Sequence, residues 1–342
     1  MRVSRTTAAE VAKLAGVSQP TVSRVFMQGS KVSADKQRRV REAALKLGYR
    51  PNTLARSLNT GRSRTIGIVL AYLKNPFYTE ALEKLSSEFH EHGYHIMTFF
   101  ASNLTDEVDG VVEDLLAHQV DGIILASVSV SSELTKRLQD HGIPLVLFNR
   151  GQENPNLASV TAANFEGGRV AARFLLAGGH KRIAHIAGWQ KSLNGRERQA
   201  GFLAEMSAQG TEPFHVVDCE YSRVIARKAT LGLFEKGCGP DSIFVGNDHM
   251  AFAVLETLKH ELGLDVPGDV SVIGYDDVAM AAWKTFDLTT MRQPANRMAE
   301  ATVRMLLSMI DDPEPSLGRI EIESQLIVRG STRNPPDWQR DP

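Results

Sequence analysis

The sequence predicts a small all-α helix-turn-helix head followed by a larger two-lobed α/β body. Three observations predict this. The 342 residues exceed what one hydrophobic core organises. Residues 1–64 carry 14 Lys and Arg against 3 Asp and Glu, while the remainder carries 25 against 37. A net charge of −1 therefore conceals balances of +11 and −12. Lastly, short helical patterns fill the head, and apolar runs alternating with helical segments fill the rest.

Composition removes several classes. With 42% hydrophobic and 23% charged residues, 27 Gly and 14 Pro, the chain is globular rather than disordered or fibrous. No apolar run approaches the ~18 residues of a membrane span. Met1-Arg2-Val3-Ser4-Arg5-Thr6-Thr7 holds no apolar signal core, so a cytoplasmic chain without a membrane role is expected. Cys219 and Cys238 have no CxxC neighbour, which argues against a disulfide scaffold or a structural zinc.

In the head, Thr7 and Glu10 have capping-box spacing. Ala8, Val11, Ala12 and Ala15 then fall on one face of a short helix. Gly16 supplies a turn, and Ser18 can cap a second helix that tolerates Pro20 in its first turn. Val22, Val25 and Phe26 repeat the pattern. A third helix starts near Ser33, buries Val40, Ala43, Ala44 and Leu47, and stops at Gly48. Three such helices, the first two joined by a tight Gly turn, describe a helix-turn-helix.

The exposed face of the second helix carries Gln19, Thr21, Ser23 and Arg24. Gln and Arg can pair bidentately with adenine and guanine edges, and hydroxyls suit phosphate oxygens. Each alone is an ordinary solvated helix position. Together, in a module of charge +11, they point to double-stranded DNA.

The run Thr7-Ala8-Ala9-Glu10-Val11-Ala12-Lys13-Leu14-Ala15-Gly16-Val17-Ser18, then Thr21-Val22-Ser23-Arg24-Val25, resembles the lactose-repressor (LacI/GalR) family signature. Val32-Ser33 and Leu47-Gly48-Tyr49-Arg50-Pro51-Asn52 resemble its third helix and exit. The resemblance implies that Gln19 and Pro20 vary with operator sequence. Pro20 then offers apolar contact alone.

Next, Pro51 and Asn52 stand where a helix can start, with Leu54 and Leu58 on one face. About eight residues do not hold a helix unaided, since isolated helices need ~12–15. Residues 59–64 read as basic linker. The resemblance implies a hinge helix that folds against its dimer mate and DNA, with Leu58 as a minor-groove wedge that kinks the duplex. The implied DNA-contacting set is Thr7, Ser18, Gln19, Pro20, Thr21, Ser23, Arg24, Asn52, Leu54, Ala55 and Leu58.

In the body, apolar runs at 66–70, 95–100, 122–125 and 145–148 precede further runs at 183–187, 242–245 and 270–273. Helical spacing occupies segments such as 80–90 and 167–176, so parallel βαβ units in two lobes are expected. Ligands sit beyond the carboxyl ends of parallel strands. The residues just beyond these runs are polar and aromatic: Asn75-Pro76-Phe77, Ser127, Asn149-Arg150, Trp189, Asn247-Asp248 and Tyr275-Asp276-Asp277. Arg196 and Arg198 stand at an expected helix start. Amides, carboxylates, guanidinium groups and rings together suit a polyhydroxylated small molecule.

The body also resembles the LacI family, through Asn75-Pro76-Phe77, Val245-Gly246-Asn247-Asp248, Gly274-Tyr275-Asp276-Asp277, Gln293-Pro294 and Val328-Arg329-Gly330-Ser331-Thr332. Coverage runs from about Thr6 to Arg333. This implies a periplasmic-binding-protein-like body with effector contacts at Asn149, Arg196, Tyr221, Asn247 and Asp276, and Phe77 nearby. Ser127, Arg150 and Trp189 complete the expected effector set. The aromatic Tyr221 suits a pyranose or a base equally. Implied boundaries are 1–50 for the head and 51–64 for the hinge. One lobe takes 65–163 plus 293–323, the other 164–292 plus 324–333, and 334–342 form a tail. The tail is Pro-rich and lacks heptads, so a homodimer is expected rather than a tetramer.

His90-Glu91-His92-Gly93-Tyr94-His95 lacks HExxH spacing and reads as a helix end, so no metal or cofactor is expected. No phosphate loop, dinucleotide fingerprint or nucleophile elbow occurs, so no enzyme is expected either. The resulting expectation is a repressor on a pseudo-palindromic operator, gated by a sugar or sugar derivative between the lobes. The alternatives are a nucleobase-responsive regulator and a solute-binding protein without a DNA role. Leu58→Ala is expected to weaken specific DNA binding by about tenfold or more, while the free protein's effector affinity holds. Mobility shift and effector titration check this; equal losses in both would remove the wedge role.

Overall fold

The computed structural model describes residues 6–26, 31–50, 61–71, 73–101, 105–128, 131–151, 157–235, 237–312, 318–336 and 338. The chain divides into two compact units, Met1–Ser63 and Arg64–Pro342.

In the first unit, Thr7 opens helix α1 (Ala8–Ala15) with a complete capping box. The Thr7 N–H donates to the Glu10 carboxylate at 2.7 Å, and the Glu10 N–H donates back to the Thr7 hydroxyl. Gly16 ends the helix at φ +62°, where a side chain would be strained. Helix α2 (Gln19–Val25) comes next. Ser18 takes the N-cap backbone conformation, but its hydroxyl pairs with that of Thr21 at 2.8 Å and does not cap the helix as expected. Helix α3 (Ala34–Leu47) ends at Gly48, and eight small side chains centred on Val11, Val22 and Val40 form the buried core. Asn52, Leu54, Ala55 and Leu58 lie outside the described residues.

The second unit contains two six-stranded sheets. The first takes β1 (Thr65–Leu70), β2 (His95–Phe100), β3 (Gly122–Ala126), β4 (Leu145–Phe148) and β5 (Ala158–Ala162). Between them run α4 (Pro76–Glu91), α5 (Thr105–Ala117) and α6 (Ser132–Asp140). Helix α7 (Asn164–Ala177) carries the chain across to β6 (Ile183–Ala187), α8 (Leu193–Ala208), β7 (His215–Asp218) and α9 (Arg223–Phe234). The second sheet continues through β8 (Ser242–Val245), α10 (Asp248–Glu256), β9 (Ser271–Asp276) and β10 (Thr289–Arg292).

The chain recrosses into α11 (Ala295–Asp311), which packs on α4, and β11 (Arg319–Ile322) adds an edge strand to the first sheet. A third passage leads to β12 (Gln325–Ile327) in the second. The strand orders are β11-β5-β4-β3-β1-β2 and β12-β10-β9-β8-β6-β7, with β12 the antiparallel member. Trp338 in the tail packs edge-on against Phe174, 4.9 Å between ring centres.

Burial on both faces explains why most strands read as continuous apolar runs. β5 is buried throughout, yet Ala-Ser-Val-Thr-Ala offers one large aliphatic side chain and gave no sequence signal. β7, β11 and β12 are edge strands with exposed positions, which weakened theirs.

Helices α7 and α8 meet backbone to backbone, because glycine stands at the crossing. A Cβ on Gly168 would lie 2.1 Å from the Arg198 carbonyl oxygen, and one on Gly201 would lie 1.8 Å from that of Phe165. Backbone atoms cannot swing aside. Gly168→Ala and Gly201→Ala are each expected to cost about 1–3 kcal/mol or more, read as a fall in Tm. Gly232→Ala, at an exposed position of α9 with nothing within 4 Å of the new Cβ, should instead raise stability by ~0.5–1 kcal/mol. A gain at Gly168 or Gly201 like that at Gly232 would mean that the α7–α8 contact is loose.

Candidate functional site

Helix α2 turns Val22 and Val25 into the core, which leaves Gln19, Pro20, Ser23 and Arg24 exposed and Thr21 half-buried. Side chains of these kinds on an exposed helical face are able to meet base edges and phosphate oxygens, and Thr7 and Ser18 stand at the starts of α1 and α2.

In the second unit, a cavity of about 260 Å³ lies where the strands of both sheets end. Ser127 follows β3, Asn149 and Arg150 follow β4, Trp189 lies beyond β6 and Asn247 follows β8. Several lining residues have left-handed backbones: Ser127 at φ +62°, Asn149 at +50°, Glu220 at +52° and Tyr221 at +58°. Asn tolerates that region, whereas Glu and Tyr do so at a cost. The Tyr221 ring lies on Gly188, where a Cβ would stand 2.1 Å from it. The Arg150 guanidinium lies over the ring of Trp189, 5.1 Å from its centre.

Asp276 is the centre of the site. It ends β9 at φ +129° and is 3% exposed. Asn75, the N-cap of α4 in the other lobe, donates its amide to one carboxylate oxygen at 2.9 Å. Gln293 donates to the other oxygen at 2.5 Å, and Arg198 stands 3.8 Å away. Arg198 is itself fixed by its bonds to Asn164 at 2.8 Å and the Gly246 carbonyl at 2.6 Å, and lies 3.6 Å over the Tyr275 ring. A Cβ on Gly167 would meet that ring, so the glycine pair of α7 makes room for both Tyr275 and α8.

The lobes also touch through Asn194, which donates to Asn149 and accepts from the Gly151 N–H. Arg319 binds Glu197 through two bonds of 2.6 Å. Behind Asp276, buried Asp248 meets the Val278 N–H at 3.0 Å and the Thr290 hydroxyl at 2.6 Å. Burial, opposed by the Arg198 charge, pushes the Asp276 carboxyl up to about 6. Burial and the neighbouring Asp276 charge push Asp248 up to about 8.

Comparison with known proteins bears on both units. The description "bacterial regulatory proteins, lacI family" matches residues 7–52, and a periplasmic binding protein-like domain matches residues 172–332. The HTH-type transcriptional repressor PurR of Vibrio parahaemolyticus is 31% identical over 331 residues, covering 95% of this chain and 98% of that protein. PurR of Erwinia tasmaniensis is 32% identical over 337 residues, covering 97% and 98%.

This chain belongs to the lacI family of bacterial regulatory proteins. Among solved structures, the lac repressor dimer bound to operator and the anti-inducer ONPF matches with a TM-score of 0.86 at 26% identity, covering 96% of this chain and 99% of that one. The transcriptional regulator CelR in complex with cellobiose matches with a TM-score of 0.72 at 30% identity, covering 96% and 100%. The architecture is accordingly the lacI-type helix-turn-helix head with a periplasmic-binding-protein-like body. The chain is a DNA-binding transcriptional regulator. Among the described residues, no helix is long and apolar enough to cross a membrane.

Seven of the expected effector residues line the lacI-type cavity: Ser127, Asn149, Arg150, Trp189, Tyr221, Asn247 and Asp276. Two do not, and are corrected. Phe77 points into the core of its lobe, 1% exposed and stacked on Phe148. Its neighbour Tyr78 faces the cavity. Arg196 lies over the preceding loop, donating to the Gln190 and Lys191 carbonyls, whereas Arg198 lines the cavity alongside Arg150. Ser192, Asn194, Glu220 and Gln293 also line it, with Asn75. Helix periodicity held the signal for one pair, since Asn194 and Arg198 share a face at i, i+4.

The raised carboxyl values make a signed prediction. A carboxyl whose folded pKa exceeds the unfolded ~3.9 favours folding below that value and loses the contribution as pH rises through the folded one. For Asp276 and Asp248, stability should fall between about pH 4 and pH 8. Protonated Asp248 can accept from the Val278 N–H and donate to Thr290, and asparagine copies both. Asp248→Asn should therefore gain Tm over wild type by an increment that grows from pH 5 to pH 8. An increment independent of pH would show Asp248 ionised throughout.

Proposed function

We propose that the chain is a repressor acting as a homodimer on a pseudo-palindromic operator, with its DNA affinity set by a sugar or sugar derivative in the cleft. The observation that carries the effector reading is the lining. Amides, carboxylates and guanidinium groups converge there with Trp189 and Tyr221 as flat walls, which suits paired hydroxyls and the apolar face of a sugar ring. The CelR–cellobiose complex, at 30% identity over nearly the whole chain, supports the same class. Repression and the dimer are supported by the named repressors and by the operator-bound lac repressor dimer. The proposed head, hinge and lobe boundaries are those given by the sequence, and a regulator of this kind works in the cytoplasm.

A second reading is favoured by the PurR relatives, whose name points to purine control: a nucleobase stacked between the same aromatics. Mobility shift on the upstream region of the protein's own gene, with sugars and nucleobases added in turn, separates the two. A sugar that changes operator affinity supports the first reading, and a response to purines alone supports the second. Arg198→Ala and Asp276→Asn should each abolish the effector response and leave operator binding without effector in place. A normal titration by either variant would remove that residue from the effector site.

A further inference from the structure

The cavity lining is not all that joins the lobes. Arg319, on edge strand β11 of the first lobe, meets Glu197, on α8 of the second, through two bonds of 2.6 Å. Their side chains are 22% and 20% exposed. A guanidinium matched to a carboxylate through paired bonds is strong and direction-dependent, and partial burial limits its screening. It is thus unlike an ordinary exposed ion pair, which contributes little. Neither residue lines the cavity.

Each partner is fixed to its own lobe. The Arg319 Nε lies 3.0 Å from the Thr161 hydroxyl on β5 and 3.1 Å from the Glu321 carboxylate, two residues along β11. These contacts hold the guanidinium to the first sheet and leave its two outer nitrogens for Glu197. On the other side, Glu197 rides on α8. That helix is seated on α7 through Gly168 and Gly201, and Arg198 ties it to the Gly246 carbonyl. With both ends anchored, a rotation of one lobe against the other separates the pair.

A second observation marks the same edge of α8 as a docking edge. Gly151, just past β4, has no side chain to keep the lobes apart. A Cβ there would stand 2.6 Å from the Leu193 side chain and 3.3 Å from the Arg319 guanidinium. Beside Leu193, Asn194 accepts the Gly151 N–H at 3.2 Å. Leu193, Asn194 and Glu197 therefore meet the first lobe together, and of the three only Asn194 lines the cavity.

We infer that Arg319 and Glu197 are a positioning pair, a latch that sets how far the lobes are joined in the ligand-free protein and, through that, its operator affinity. The latch itself needs only the geometry above; its link to the operator rests on the effector-gated reading. A bond made in one lobe arrangement and not in another biases their populations by the whole of its free energy. Because neither side chain belongs to the lining, the pair tunes that balance and leaves the cavity's chemistry unchanged.

The test uses the full chain as wild type, Glu197→Gln, Arg319→Gln and the double variant, all without effector. The first readout is amide hydrogen exchange of the segment spanning Gly151, whose N–H bonds across the cleft to the unaltered Asn194. Exchange there should run about three- to tenfold faster in either single variant and no faster in the double, with the amides of core strand β8 unchanged. Equal acceleration at β8 would reduce the pair to general stability, and independent effects that multiply in the double variant would separate the two residues; either overturns the latch, as does unchanged exchange. In wild type, raising NaCl from about 50 mM to about 500 mM should speed the same segment more than it does in the double variant, which decides the matter if a variant does not fold. The second readout is mobility shift on the upstream region of the protein's own gene. Operator affinity should differ from wild type by about threefold or more, alike in all three variants. Faster exchange with unchanged operator affinity would keep the latch and remove it from regulation, while the effector titrations judge the gated reading separately.

Discussion

The second unit is organised around one buried carboxylate, Asp276. A carboxylate taken out of water must be compensated by donors and opposite charge. Here the compensation comes from both lobes: Asn75 reaches across from the start of α4, Gln293 comes from the crossover just after β10, and Arg198 comes from α8. Two of these donors are themselves committed. Asn75 caps its helix by accepting from the Phe77 N–H, and Arg198 is held by Asn164 and the Gly246 carbonyl. The lobes are thus joined through the same group that faces the cavity.

That arrangement depends on where α8 can stand. Arg198 reaches Asp276 because Gly168 and Gly201 let α7 and α8 touch along their backbones, and because Gly167 leaves space for the Tyr275 ring beneath the guanidinium. The cavity wall follows the same logic on its other side, where Gly188 admits Tyr221. Left-handed backbones at Ser127, Asn149 and Tyr221 aim strand-end side chains inward. Close packing elsewhere in the lobes sustains this local strain.

The larger features were legible in the sequence because they are periodic. Parallel strands buried on both faces read as apolar runs, and the capping box of Thr7 and Glu10 reads as itself. The polar strand ends were legible too, since seven of nine expected effector residues meet at one cavity. What failed was direction. Phe77 and Tyr78 are adjacent, and about 100° of helix rotation separates a core side chain from a cavity side chain. Phe77 shares its face with Ala81, Leu85 and Phe89, the buried stripe of α4, which marks it as core. Arg196 and Arg198 differ in the same manner, and Asn194, Arg198, Gly201, Phe202 and Glu205 trace the buried stripe of α8. Ser18 failed for a different reason: a hydroxyl neighbour, Thr21, satisfied it before the backbone did.

The lobe contacts bear on how a ligand in this cavity acts at a distance. Asn149, Asn194 and Asp276 bond across the cleft and also line the cavity. A ligand that bonds any of them either completes the cross-cleft network or competes with it. In both cases its binding free energy differs between closer and wider arrangements of the lobes, and that difference is the whole of its leverage. The Arg319–Glu197 pair, outside the lining, adds to closure without touching the ligand. For the proposed effector, such a pair would bias the starting equilibrium and the cavity residues would set how far a ligand moves it. Shifting populations from 1:99 to 99:1 would take about 5.5 kcal/mol of preference for one state. A few charge-assisted bonds gained in a single arrangement supply energy on that scale, whereas bonds made equally in both would shift nothing.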